Sequence, residues 1–454
     1  MERISIIGSG FCGTALAIQL LRQATRPLHL RLFNRSGQLA RGLAYGTRSA
    51  SHILNVPAER MSLFDEQSSD FLTFARQHLP NAQPGDFLPR SLYGDYLQQR
   101  LQEAIEAKQA LVHFDCLASH VIDLQQTAEG MQLCLDDGQT IICDRVVIAT
   151  GNFSPATPPP LRGIADDPRY IADPWREDAL LHVADDARVL LLGSGLTMYD
   201  MALALQDKGH RGPLQAISRR ALQPHGHRDN AQHPKLPQLP DTLLTGADKL
   251  STLVMQVRTF VADAQADGFD WRDAIAALRP ITPALWQNLD DQQRRRFLRH
   301  LQPYWEVHRH RAAPPIAQRI DSLRQDGQLR VQACRLLTAS ATDEALLLSV
   351  QPRGTCATTT LSVDHIINCT GPCNDLQHLG EPMFNALHSR GAIRQDANRI
   401  GLEVDTHYRL LDDSGNAQPN LYLLSPMLRA HYWESSAVPE LRQHAQQLAT
   451  ILLG

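Results

Sequence analysis

A chain of 454 residues has room for two or three domains of roughly 150 residues each, with a sizeable core. Composition is that of an ordinary globular protein, 43% apolar and 20% charged, and 44 basic against 48 acidic residues leave a net charge of −4. These totals point to no nucleic-acid or membrane partner, and no apolar run approaches the roughly 18–20 residues that a membrane helix needs.

The first strand begins at about residue 3, with Ile4, Ile6 and Ile7, which leaves no room for a signal peptide. Gly8, Gly10 and Gly13 follow on G-x-G-x-x-G spacing, and Thr14 to Leu21 continue as an apolar helix. Each glycine has a task at a dinucleotide-binding turn: Gly8 permits the tight turn, Gly10 lets the backbone approach a pyrophosphate, and Gly13 lets helix and strand pack closely. The helix N-terminus adds unpaired N–H groups and a partial positive charge. A second strand, 28–33, ends at Asn34, where an acidic ribose ligand is expected; Asn34 can still hydrogen-bond a hydroxyl. A helix starts at Pro89-Arg90 and runs to about Lys108. Residues 111–149 read as a β-meander ending in a buried strand and Ala149-Thr150-Gly151, and the prolines between 155 and 160 read as a linker.

The pattern then restarts. Strand 188–192 meets Gly193-Ser194-Gly195 and a helix over 196–205, with Met198 at the third glycine position, which predicts looser packing of helix on strand. Strand 214–217 runs into Ser218-Arg219-Arg220, where arginines suit a 2′-phosphate; two solvated loop arginines are the plainer alternative. Residues 225–325 break the rhythm. They begin with His225-Gly226-His227 and His233-Pro234, and helices are predicted over 247–264, 271–278, 283–300 and 314–325. The group Pro303-Tyr304-Trp305-Glu306-Val307-His308-Arg309-His310-Arg311 is either a solvated basic face or the lining of a substrate or nicotinamide pocket. His308 and His310, two apart, make a metal site unfavourable, and no metal is expected. A second meander, 328–366, ends in Cys369-Thr370-Gly371. The eight cysteines form no Cys-x-x-Cys pair, which reads as reduced structural thiols in a cytoplasm and argues against a dithiol reductase.

Turn, strand end, turn, strand end predict an α/β fold of two nested Rossmann-like dinucleotide-binding domains with β-meanders and a helical insertion. The expected boundaries are 1–160 with 373–454 for a discontinuous first domain and 161–372 for the second, the insertion covering about 225–325.

This order resembles the flavoproteins with two dinucleotide-binding domains, FAD on the first and NAD(P)H on the second. In particular it resembles the bacterial FAD–NAD(P)-binding family, through Gly42-Leu43-Ala44-Tyr45-Gly46-Thr47, Leu54-Asn55-Val56-Pro57, Pro89 to Leu97, Gly195-Leu196-Thr197-Met198, Trp305 to Arg311, Cys369 to Pro372 and Trp433 to Arg442. More distantly it is similar to flavin-dependent N-hydroxylating and Baeyer–Villiger monooxygenases. The resemblance implies FAD and NADP as cofactors and a small-molecule substrate. Implied cofactor residues are Gly8, Gly10, Gly13, Asn34, Gly42, Tyr45, Asn55, Val56, Arg90, Tyr93, Gly151, Gly193, Gly195, Thr197, Arg219, Arg220 and Gly371. Trp433, Glu434, His308 and Arg309 are the catalytic candidates; for Trp433 and Glu434 the alternative is core packing and a helix start. Ser425 and Ala430 stand where such flavoproteins usually carry glycine. A monooxygenase, a flavin dehydrogenase or oxidase without oxygen insertion, and a non-catalytic flavin-binding sensor all remain open on the residues alone.

Overall fold

The computed structural model describes residues 1–228, 236–247 and 249–454, so His233-Pro234 lies outside the described residues. Strand β1 (Glu2–Ile7) is buried through its last four residues and turns into α1 (Phe11–Gln23). Gly8 holds φ +107°, and a Cβ there would lie 2.7 Å from the Ala149 carbonyl oxygen. Gly13 is tighter, its hypothetical Cβ falling 1.8 Å from the Gly8 carbonyl oxygen. At Gly10 the only atom within reach is the Gly42 Cα, at 3.8 Å.

Alternating burial makes Leu28–Phe33 the second strand, β2, parallel to β1 with Ile4 beside Leu30. Helix α2 (Arg90–Ala107) leads to β3 (Val112–Leu117), which pairs in parallel with β2 at the sheet edge. The meander expected over 111–149 is therefore shorter: β4 (Val121–Thr127), β5 (Gly130–Leu135) and β6 (Thr140–Cys143) form a separate three-stranded sheet. Strand β7 (Arg145–Ile148) rejoins β1 on its other side. The proline segment is anchored rather than free, because Leu161 and Ile164 are buried in a core shared with Leu190 and Ile366.

The second unit contains β8 (Tyr170–Ile171), β9 (Val189–Leu192), α3 (Leu196–Asp207) and β10 (Leu214–Ser218). Helices α4 (Leu250–Ala266), α5 (Trp271–Leu278), α6 (Thr282–Gln287), α7 (Asp291–His300), α8 (Gln302–Arg309) and α9 (Pro314–Gln325) come next along the chain. The expected single helix 283–300 is broken, because the Asp290 side chain accepts a bond from the Gln293 N–H at 2.7 Å and starts a new helix. Residues 302–309 are also helical, with Pro303 in the first turn, where its missing N–H costs nothing.

Strand β11 (Leu329–Ala341) begins parallel to β10 and continues antiparallel to β12 (Leu346–Pro352), with β13 (Thr359–Val363) at the edge. Strand β14 (His365–Asn368) returns beside β9. Finally β15 (Arg409–Leu411) and β16 (Ala417–Leu423) extend the first sheet, β16 pairing in parallel with β7, before α10 (Val438–Leu453). The large sheets thus run β15-β16-β7-β1-β2-β3 and β13-β12-β11-β10-β9-β14-β8. Helices α1 and α10 share the first core. Met198 is fully buried in the core of the second.

Gly13→Ala is expected to destabilise the protein outright, because its Cβ overlaps a backbone carbonyl. Gly10→Ala should fold with a near-wild-type melting temperature and retain far less FAD after gel filtration. A cofactor-replete Gly10→Ala protein would contradict the role given to that position.

Candidate cofactor and substrate cleft

The first cradle is built from the glycine turn and the end of β7. No side chain caps α1. Ser9 Oγ and Thr150 Oγ1 are buried beside it without a partner. Gly42, at φ +53°, lies over Gly10, and Gly151 is open. Unpaired first-turn N–H groups, the helix dipole and two orphaned hydroxyls fit a dinucleotide pyrophosphate. Asn34 stands at the end of β2 as expected, but its amide is engaged locally: Nδ2 donates to the Gln38 carbonyl at 2.5 Å, and Oδ1 accepts from the Ser36 N–H. Tyr45 packs edge-on to Tyr93 at 4.7 Å, and burial pushes both hydroxyls up. The Tyr93 hydroxyl has no partner. Val56 is half-buried against the same core.

The second cradle repeats the device. Gly193 holds φ +123°, with its hypothetical Cβ 2.4 Å from the Cys369 carbonyl oxygen, while Gly195 and Gly371 face open space. Ser194 Oγ is bonded to Ser218 Oγ and to the Leu222 carbonyl, so the loop after β10 crosses the turn. Thr197 is half-buried in the first turn of α3, whose N-terminus is also uncapped by side chains. Arg219 is exposed at the tip of β10. Arg220 donates to the Arg299 carbonyl and lies 5.9 Å from the Tyr304 ring.

The two cradles meet. Phe153 and Cys373, each two residues beyond a Thr-Gly strand end, bridge one another. Arg90, an implied cofactor residue, instead ties the units together: it donates to the Ile53 carbonyl and to both Asp200 carboxylate oxygens at 3.0 and 3.1 Å. Asn55 contributes its carbonyl oxygen to His227 Nε2 at 3.1 Å, and the His227 ring lies 4.8 Å from Phe87.

Of the catalytic candidates, Arg309, Trp433 and Glu434 come together where the helical insertion grips the C-terminal segment. Arg309 donates to Glu434 at 2.8 Å, and Glu434 is only 4% exposed. Glu440 joins Arg309 and Arg279. Trp433 stacks on Trp286 at 4.6 Å under the Arg429 guanidinium, and Trp286 Nε1 donates to the Ala430 carbonyl. Glu306 pairs with Arg429 and His310; burial alone would push Glu306 up, but the Arg429 guanidinium and then the contact with His310 hold it below the ordinary carboxylate range. His308 lies apart, its ring 4.6 Å from His225 and 5.0 Å from Trp271. Ser425 needs no glycine: at φ −155° its backbone is extended, and its Oγ accepts from the Met427 N–H. Trp433 carries the strain instead, at φ +57°. The Arg90–Asp200 and Trp286–Ala430 contacts join residues more than a hundred positions apart, and no local pattern announces them; the adjacent acids Asp290-Asp291 do signal the break before α7.

Away from the cleft, one group among the described residues brings metal-binding side chains together: His29, His113 and Asp115 on β2 and β3. Arg31, 4.0 Å from the same carboxylate, already opposes its charge.

Residues 5–153 match the model of a family described as FAD-NAD(P)-binding. No curated protein matches the sequence. Among solved structures, the chain is similar to ornithine hydroxylase from Pseudomonas aeruginosa, with TM-score 0.65 and 16% identity over 100% of this chain and 99% of that one. It is also similar to ornithine N-hydroxylase from Kutzneria sp. 744, solved with reduced FAD, NADP+ and L-ornithine, with TM-score 0.67 and 15% identity over 99% and 98%. L-lysine 6-monooxygenase from Pseudomonas syringae gives 0.65 and 15% over 100% and 99%. These likenesses establish the shared two-unit flavoprotein fold. No helix among the described residues is long and apolar enough to cross a membrane.

His227 supplies a pH test. Burial, with Arg311 next in weight, pushes its pKa down to about 3 from 6.5. The unfolded chain therefore takes up this proton first: the stability is present above 6.5 and is lost as pH falls towards 3. Between pH 7.5 and 5 the loss attributable to this group is about 2 kcal/mol, and His227→Gln should remove it from urea-unfolding curves. An unchanged acid dependence would refute the assignment.

Proposed function

We propose that this chain, whose residues 5–153 match the FAD-NAD(P)-binding family, is an FAD-dependent, NADPH-oxidising monooxygenase acting on a small molecule. The observation that carries the reading is the Phe153–Cys373 bridge, which sets the strand ends of two separate dinucleotide cradles side by side. The unpaired cysteines, all eight of them, support a reducing compartment such as the cytoplasm, and the lack of a Cys-x-x-Cys pair disfavours electron transfer through a dithiol.

In this reading residues 1–160 with 373–454 hold FAD through Gly8, Gly10, Gly13, Ser9, Gly42, Thr150 and Gly151. Residues 161–372 hold NADPH through Gly193, Gly195, Thr197 and Gly371, with Arg219 and Arg220 at the 2′-phosphate. When bound, FAD supplies hydride acceptance from NADPH and activation of O₂. The protein's own residues orient and enclose. Arg90 and Asp200 fix the distance between the units, Asn55 and His227 close the cleft beside them, and Arg309, Glu434 and Trp433 position the C-terminal segment. His308 stands with Trp271 on the second unit's side. Solved structures with this fold include an ornithine hydroxylase and an L-lysine 6-monooxygenase, which supports a small amine as substrate.

Three measurements bear on this. The purified protein should be yellow, and NADPH should bleach its flavin in the absence of oxygen; failure of that step removes the oxidoreductase reading. With L-ornithine, L-lysine or cadaverine present in air, hydroxylated amine should form in step with NADPH consumed, whereas peroxide alone would indicate an oxidase. Arg219→Ala should weaken NADPH binding by about tenfold to a hundredfold, the equivalent of one charge-assisted hydrogen bond, and leave NADH unaffected.

A further inference from the structure

A charge imbalance sits where the 54–60 loop of the first unit meets the second. There Gly226 bridges Ala312, the Ala312 N–H donates to the His225 carbonyl, and His227 reaches Asn55. Arg60, Arg228, Arg272 and Arg309 surround Arg311 closely enough to oppose its charge. Three of those four are answered by carboxylates: Arg228 by Asp273, Arg272 by Asp270 at 3.2 Å, and Arg309 by Glu434 at 2.8 Å. Arg60 and Arg311 have no carboxylate partner among the described residues. The Arg311 Nε is shielded from water with no acceptor, and the guanidinium's nearest ring is Trp271, at 6.0 Å.

A guanidinium N–H withdrawn from water without an acceptor is costly, by an amount that a protein keeps only where something else completes the site. The nearby imidazoles do not compensate: burial and the same arginines hold His227 neutral. Arg311, pushed down to about 10 by burial and then by its neighbours, is still cationic at neutral pH. The cofactor phosphates are already provided for, at the N-termini of α1 and α3 and at Arg219-Arg220.

We infer that Arg311 and Arg60 form a binding site for a carboxylate group carried by the substrate. Two planar guanidinium forks match a carboxylate in shape and charge, and the shielded Arg311 Nε gains its missing acceptor. The inference rests on the reading above that substrate turns over in the cleft between the units. It adds that the substrate is an acid, which separates amino acids from simple amines.

The test uses the FAD-loaded protein saturated with NADP+ and malonate as probe, with chloride at equal ionic strength as control. Malonate should raise the melting temperature saturably, and Arg311→Met or Arg60→Met should weaken that effect at least tenfold, Arg311→Lys less so. Arg311→Met should also melt higher than wild type without malonate, since it removes an unanswered charge. No rise beyond chloride, or the same rise in Arg311→Met and Arg60→Met, overturns the proposal. So does a rise seen only without NADP+ together with weaker NADPH binding by Arg311→Met, because the site then belongs to the cofactor. If Arg311→Met does not fold, Arg60→Met and Arg311→Lys decide by the same criterion. Malonate binding in a protein that NADPH cannot bleach would sink the oxidoreductase reading and leave the anion site standing.

Discussion

In both units a glycine turn is pressed onto the carbonyl that ends the neighbouring strand, Gly8 on Ala149 and Gly193 on Cys369, with no room for a side chain between them. That contact fixes everything downstream. It holds each turn at the carboxyl edge of its sheet, points the following helix N-terminus across that edge, and forces the next residues, Thr-Gly in both cases, to leave sideways. The two exits then run into one another. A shared cleft is therefore a consequence of packing at two turns, reached before any cofactor contributes.

Around this frame, ionic contacts set position more than stability. Arg90–Asp200 crosses between the units, and Arg309–Glu434 with Arg279–Glu440 holds the insertion against the C-terminal segment. A buried pair gains little over a well-packed apolar one, yet losing one partner costs roughly 3–5 kcal/mol, because the other is stranded. Such pairs discriminate strongly between one docked arrangement and a shifted one. The stacked Trp286 and Trp433 supply apolar area at the same joint, and the strained backbone at Trp433 is tolerated because the joint leaves that residue nowhere else to go.

The elements that the sequence announced are those whose cause is local. The two glycine turns and the apolar runs of β1, β7, β9 and β14 stand where their local chemistry placed them. What escaped was long-range. β3 looked like the start of a meander because alternation within a strand does not say which neighbour it joins. Residues 303–311 read as either a solvated basic face or a pocket lining with no helix assigned, because their aromatic and basic residues hide the helical period, although Pro303 marked its start. Arg90 entered only as an implied cofactor residue, and its ion pair with Asp200 was not legible because that partner lies in a helix of the other unit. Asn34 kept its predicted place, but its amide serves its own turn.

The late return of β16 has a consequence for synthesis. The apolar edge of β7, Val146-Val147-Ile148, has no partner until Leu421 to Leu423 have been made. At about 5–20 residues per second the growing chain carries that open edge for some tens of seconds, while the whole second unit is translated. An unpaired hydrophobic edge is a template for other strands. The nesting that brings two cradles to one cleft thus leaves the nascent chain with a sticky edge at its own centre until the last strand arrives.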